Sequence, residues 1–151
     1  MFLIKDTLEQ RQDKIRSFLP VESVIAVLLA AADLEWTLRR AIRRFAHKMG
    51  NDPGPKFEKA LGLGTYRECW AKAASPLFAR LEEVVRDWNS LLTSFDLRHK
   101  LIHGAQGTTW ASFANIHVEA ILAASAAVAK YAIDQGEPIY GKKLPPRKKP
   151  R

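Results

Sequence analysis

Apolar residues recur along most of this chain at alternating steps of three and four, the spacing of one buried helical face. The clearest run is Leu77, Leu81, Val84, Trp88, Leu91, Phe95, Arg98 and Ile102. Strand-like alternation is nearly absent, so the pattern constrains the chain to an all-α fold. One member of the run does not belong there. A guanidinium keeps its charge, and burying it without a partner costs several kcal/mol. Arg98 therefore requires a carboxylate, a wet cleft or an anion. A second stripe, Leu28, Ala31, Glu35, Leu38, Ile42 and Phe45, carries an acid at one step. Two opposite charges on core-facing registers predict that Glu35 and Arg98 approach one another near the interior or a cleft. A structural ion pair that only fixes helix register would produce the same pattern.

Breakers and caps divide the chain. A first helix is expected over residues 5–18, ended by Pro20, and a second over 22–48, closed by Gly50 and the Asn51-Asp52-Pro53-Gly54-Pro55 cluster. A short helical piece near 57–61 follows. Thr65-Tyr66-Arg67-Glu68 has capping-box spacing and opens a short helix to Ala73. Ser75-Pro76 reads as an N-cap and first-turn proline of a long helix reaching His103, with Gly104 just past its end. A loop through residues 106–109 leads to a last helix over 111–134, stopped by Gly136 and Pro138. Its alanines (Ala120, Ala123, Ala124, Ala126, Ala127 and Ala129) permit close approach of more than one neighbour, which places it centrally in the bundle or at a dimer interface. The expected architecture is an all-α bundle of four to five helices over residues 1–138, followed by a basic, proline-rich tail over 139–151.

With 151 residues, 47% of them hydrophobic, one globular domain is the simplest organisation. The net charge of +8 is uneven. Six of the 24 Lys/Arg lie in residues 142–151, leaving 18 bases against 16 acids elsewhere. That tail, with Pro145, Pro146 and Pro150, is expected to be extended. Salt-dependent attraction to nucleic acid and a solvated terminus without a partner both fit it. The uninterrupted apolar runs 24–32 and 126–129 stop at Asp33 and Lys130. Both fall short of the roughly 18 residues of a membrane span. No basic-then-apolar leader opens the chain, and Cys69 is alone, excluding an internal disulfide. A cytoplasmic protein without a membrane partner is expected.

Arg98 and His103 form an Arg-x4-His spacing at the end of the predicted long helix. Spacing alone is weak, since Arg40 and His47 satisfy a looser form. Cations stabilising a helix C-terminus through its dipole would account for the same residues. In its context, however, Leu97-Arg98-His99-Lys100-Leu101-Ile102-His103-Gly104 resembles the motif of the HEPN superfamily. The segment Leu34-Glu35-Trp36-Thr37-Leu38-Arg39 is similar to the early-helix region of some prokaryotic members. The resemblance implies an all-α bundle. In many members it also implies a metal-independent endoribonuclease, serving as a toxin or in phage defence, and usually homodimeric with paired motifs lining one cleft. Other members are non-catalytic RNA-binding or scaffold modules. Some toxin members carry a modified tyrosine two residues after the motif histidine. Ala105 stands there in this chain, so an antitoxin or defence-system partner would act by another route.

The residue types suit RNA cleavage. RNA supplies its own nucleophile, the 2′-hydroxyl, so the protein must move protons and stabilise an anion. Histidine transfers protons near neutrality, and arginine presents a planar set of donors to phosphate oxygens. The expected roles are His103 as general acid or base and Arg98 as phosphate clamp. His99 would be a second proton-transfer group, and Glu35 would orient Arg98 or His99. Lys100, Arg39, Arg43 and Trp110 are the expected RNA contacts, Trp110 being the tryptophan expected in solvent, where it could stack on a base. The basic run Arg39, Arg40, Arg43, Arg44 and Lys48 reads as a solvated face or an RNA-tracking groove. Positions 98 and 103 lie about 140° apart on an ideal helix. Either the helix end frays or a second subunit completes the site. No cofactor or metal is expected: His99-x3-His103 lacks an intervening acid or a cysteine pair, and Gly62-Leu63-Gly64 lacks the third glycine of a dinucleotide loop. The alternatives are a non-catalytic helical module binding RNA, nucleotide or a protein partner, and a helical interaction domain without nucleic acid.

Overall fold

The structure, a computed structural model, describes residues 7–60, 62–104 and 106–140. Among these residues the chain is an all-α bundle without strands. The helices are α1 (Leu8–Ser17), α2 (Ser23–Met49), α3 (Leu63–Ala74), α4 (Leu81–Val84), α5 (Trp88–Ile102) and α6 (Ala111–Asp134), with a 3₁₀ turn at Phe57–Lys59. Local chemistry sets several ends. Thr7 and Gln10 form a reciprocal capping box at the start of α1. Gly50, at φ 67°, ends α2 in the left-handed conformation, its N–H donating to the last-turn carbonyls. Lys5 and Asp6, assigned to the first helix from the sequence, lie outside the described residues, as do Ala105 and residues 141–151.

Two expectations require correction. The single helix from Pro76 to His103 is two helices with an extended break at Val85. Ser75 ends α3 in an extended conformation and no helix follows until Leu81, so this pair starts nothing. The new start is Asp87, whose carboxylate accepts from the Ser90 N–H at 3.1 Å and the Ser90 hydroxyl at 2.6 Å. A capping aspartate offers the backbone a helix start in place of continuation. Periodicity ran through the break because Leu81 and Leu91 face the same core from two separate helices. Leu77 and Ile102, the ends of that stripe, are exposed. Likewise Thr65 lies inside α3, which is capped by Gly62, so its capping-box spacing is incidental.

The helices α2 and α6 form the spine. Ala26, Ala30, Ala31, Leu34, Leu38, Ala41, Ile42 and Phe45 of α2 are almost wholly buried, as are Ala114, Val118, Ile121, Leu122, Val128 and Ala132 of α6. Each large aliphatic or phenyl group there stabilises the fold by about 1.5–3 kcal/mol. Small residues let the neighbours come close: α1, α3 and α5 also pack on α2. By length and composition α6 is apolar enough to cross a membrane, a property that counting uninterrupted apolar residues overlooks; half of its most apolar window is buried within the bundle.

A polar network crosses this apolar spine. Arg11 Nε donates to Asp33 Oδ1 at 2.8 Å, with both side chains about as buried as the core. Ser125 donates to Asp33 Oδ2 at 2.8 Å and lies 3.0 Å from the Thr37 hydroxyl. Tyr140 accepts from Arg11 at 2.6 Å and meets Thr37 at 2.9 Å, while its ring stacks on Trp36. Burial is the first cause raising the Tyr140 pKa. Ile139 is wholly buried, so the packed body continues through Tyr140, past the boundary expected at residue 138. Breaking one side of such a pair leaves a buried charge uncompensated. Asp33→Ala and Arg11→Met are each expected to lower unfolding stability by about 3–5 kcal/mol, and the double variant by less than the sum, as read by urea denaturation.

At the α5–α6 contact, His117 Nδ1 lies 3.0 Å from the Ser94 hydroxyl, and Phe113 packs edge-on to the ring. Burial holds the His117 pKa below the ordinary 6.5. The unfolded chain therefore binds this proton more readily. The stabilising contribution is complete above 6.5 and is lost as pH falls through the lower folded value. His117→Gln should flatten the acid side of the stability–pH curve by up to about one proton, measured by denaturation midpoints between about pH 7 and 5.

Candidate functional site

The inner face of α5 sets the site. Leu91, Phe95 and Leu97 are buried in the core, and Arg98 follows them toward α2. Its Nη2 lies 3.1 Å from Glu35 Oε1, with side-chain exposures of 21% and 15%. The approach predicted from the two interrupted stripes is thus present. Its quality is unusual, because Glu35 Oε1 is buried yet accepts no well-oriented hydrogen bond. The contact is Coulombic rather than a bidentate fork. Burial raises the Glu35 pKa, with the Arg98 and Arg39 charges pulling the other way. Tyr66 borders the same carboxylate: burial, then the Glu35 charge, raise its pKa.

Arg39, expected to contact RNA, is held by the fold. Its Nε donates to the Tyr66 hydroxyl at 2.9 Å and Nη2 to the Ala60 carbonyl at 2.9 Å, tying the approach to α3 back onto α2. Arg43 lies 3.7 Å from Glu58 and over the Phe57 ring. Arg40 donates to the Ile139 carbonyl at 2.7 Å and covers the Trp36 ring. Burial lowers its pKa. The basic run is therefore not a solvated face: Arg39, Arg40, Arg43 and Arg44 are half-buried, and Lys48 is its one exposed member. Guanidinium planes suit such places because they stack on rings and fork onto carbonyls.

The histidines occupy the other side of α5. His99 and His103 are exposed, with ring centroids 4.2 Å apart. His103 N–H donates to the His99 carbonyl at 3.0 Å, so the helical turn is intact up to Gly104, whose φ of 72° ends it. Fraying does not relieve the angular separation of Arg98 and His103. Within one chain Arg98 faces α2, the two imidazoles face outward, and no hydrogen bond joins them. Lys100 is exposed and paired with Asp96 at 2.8 Å. Trp110 is 83% exposed at the start of α6, as its place after a polar loop predicted.

Compared with protein-family models, curated proteins and solved structures, the chain matches none. Tyr66 shares the Glu35 environment, and no sequence pattern marks it, because its local spacing signals a capping box at Thr65 and Glu68. Among the described residues no group of three or more His, Cys, Asp and Glu gathers as a metal site.

Removing Arg98 removes a charge that holds the Glu35 pKa down. The folded carboxyl would then bind its proton still more tightly than the unfolded one. That contribution to stability is present below the unfolded value of 4.5 and lost as pH rises through the higher folded value. Arg98→Met should therefore be more destabilising at about pH 8 than at about pH 5, a difference readable from urea midpoints at the two pH values.

Proposed function

We propose that this chain is a metal-independent endoribonuclease of the HEPN type whose site is completed by a second copy of the chain. The observation that carries the reading is the sharing of α5 by two chemistries: a half-buried Arg98 beside Glu35, and an exposed His99–His103 pair at the helix end. His103 takes the 2′-hydroxyl proton or returns one to the leaving 5′-oxygen, and His99 serves the opposite transfer. Attack of the 2′-oxygen on phosphorus breaks the P–O5′ bond and leaves a 2′,3′-cyclic phosphate. Arg98 neutralises the charge that builds on the phosphoryl oxygens. Glu35 holds Arg98 by attraction without a well-aligned hydrogen bond, so a phosphate can replace it with little loss of geometry. Because the intact helix separates Arg98 from His103, the partner copy supplies the imidazole that meets the first copy's Arg98. Lys100 and the exposed Trp110 ring are the remaining RNA contacts, the latter by stacking on an unpaired base. A toxin or phage-defence role, with a cognate antitoxin or defence partner, belongs to this reading through the motif's resemblance.

A second reading is a non-catalytic helical module that binds RNA, nucleotide or a protein partner. It is favoured by one observation: Arg98 is already paired with Glu35 and half-buried, whereas both histidines are exposed. Incubation of the purified chain with mixed RNAs in EDTA separates the two. The ribonuclease reading expects cyclic-phosphate products, with Arg98→Ala and His103→Ala each slowing cleavage by at least about 10²-fold while circular dichroism stays unchanged. RNA binding without product at any protein concentration would establish the module instead.

A further inference from the structure

The His99–His103 pair has properties that proton transfer does not use. The two residues are one turn apart, and the His103 N–H to His99 carbonyl bond keeps them on a single helical face. Both rings are exposed, and among the described residues neither is hydrogen-bonded. Their centroids are 4.2 Å apart. Two imidazoles sharing one divalent ion, at metal–nitrogen distances of about 2.0–2.1 Å, have centroids about 4.5–5 Å apart. Small rotations of two solvent-facing side chains close that difference. Local charge does not oppose a cation either: Arg98 is paired with Glu35, Lys100 with Asp96, and the C-terminal end of α5 carries the negative end of its dipole.

We propose that His99 and His103 form a two-ligand surface site for a borderline divalent ion such as Zn²⁺ or Ni²⁺, and that its occupancy silences His103. Imidazole nitrogen is a preferred donor for these ions. With only two protein ligands, the remaining coordination positions belong to water. This is an effector site, open and reversible, unlike the enclosed structural or catalytic site whose ligands the sequence lacks. A metal on a ring nitrogen occupies the lone pair through which that nitrogen would accept a proton. The inhibitory half of the proposal rests on the ribonuclease reading; the binding half does not.

The test is calorimetric titration of the untagged full chain with zinc chloride. One equivalent is expected to bind per chain, with affinity falling at least about ten-fold in both His99→Ala and His103→Ala and unchanged in His47→Ala. No saturable binding, or equal affinity in either of the first two variants, would overturn the site. Cleavage of RNA by metal-free protein should be suppressed at saturating zinc and restored by EDTA, and the residual cleavage of His99→Ala should lose this sensitivity. Undiminished cleavage by zinc-saturated protein overturns the inhibitory half. A metal-free protein that never cleaves RNA refutes the ribonuclease reading, and the calorimetric result still decides the site.

Discussion

The arrangement of α1, α2 and α6 depends on a carboxylate buried where the sequence is otherwise apolar. Asp33 follows nine uninterrupted apolar residues, and a bare charge there would be prohibitive. Arg11 and Ser125 satisfy its two oxygens, and Thr37 and Tyr140 extend the network. Apolar packing alone tolerates sliding of one helix along another, because alanine-rich surfaces offer many equivalent registers. Hydrogen bonds to one carboxylate do not. They fix α1 and α6 against a single turn of α2, and Glu35 lies two residues further along that same turn. The placement of the candidate site is therefore downstream of a purely structural contact.

Charge is treated differently at two neighbouring levels of α2. At Asp33 every oxygen is hydrogen-bonded and the pair is closed to solvent. At Glu35 the nearest cation stands 3.1 Å from an oxygen that accepts no well-oriented bond, and burial raises the carboxyl pKa. A fully satisfied network holds a fold in one state. A partly satisfied one leaves a cation that another anion could take. The second condition leaves room for another anion, and it goes with partial burial: the Arg98 and Glu35 side chains keep 21% and 15% of their exposure. On the far side of α5 the histidines remain in water, where exchange of protons or metal ions meets no barrier of burial.

The helical periods, the caps at Gly50 and Gly104, the limits of α6 and the exposure of Trp110 were all legible in the residues. So was the meeting of Glu35 with Arg98, because a charge on a core-facing register must find its opposite. Less was legible where one local signal competed with another. Thr65-Tyr66-Arg67-Glu68 matches a capping box that the fold does not use, while Asp87 interrupts a stripe whose spacing runs on unbroken. The basic run on α2 looked like a solvated face because composition records charge and not the rings and carbonyls nearby. Arg39 and Arg40 are held by Tyr66, Ala60, Trp36 and Ile139, partners distant in sequence.

By itself the sequence determined an all-α chain with two misplaced charges and a histidine pair at the end of one helix, since periodicity, capping and charge act within a few residues. Only the tertiary structure decided which arginines are bound into the fold, and that Asp33 rather than Glu35 carries the closed pair. Those outcomes depend on contacts between helices remote in the chain, where the depth of burial sets the strength of every charge.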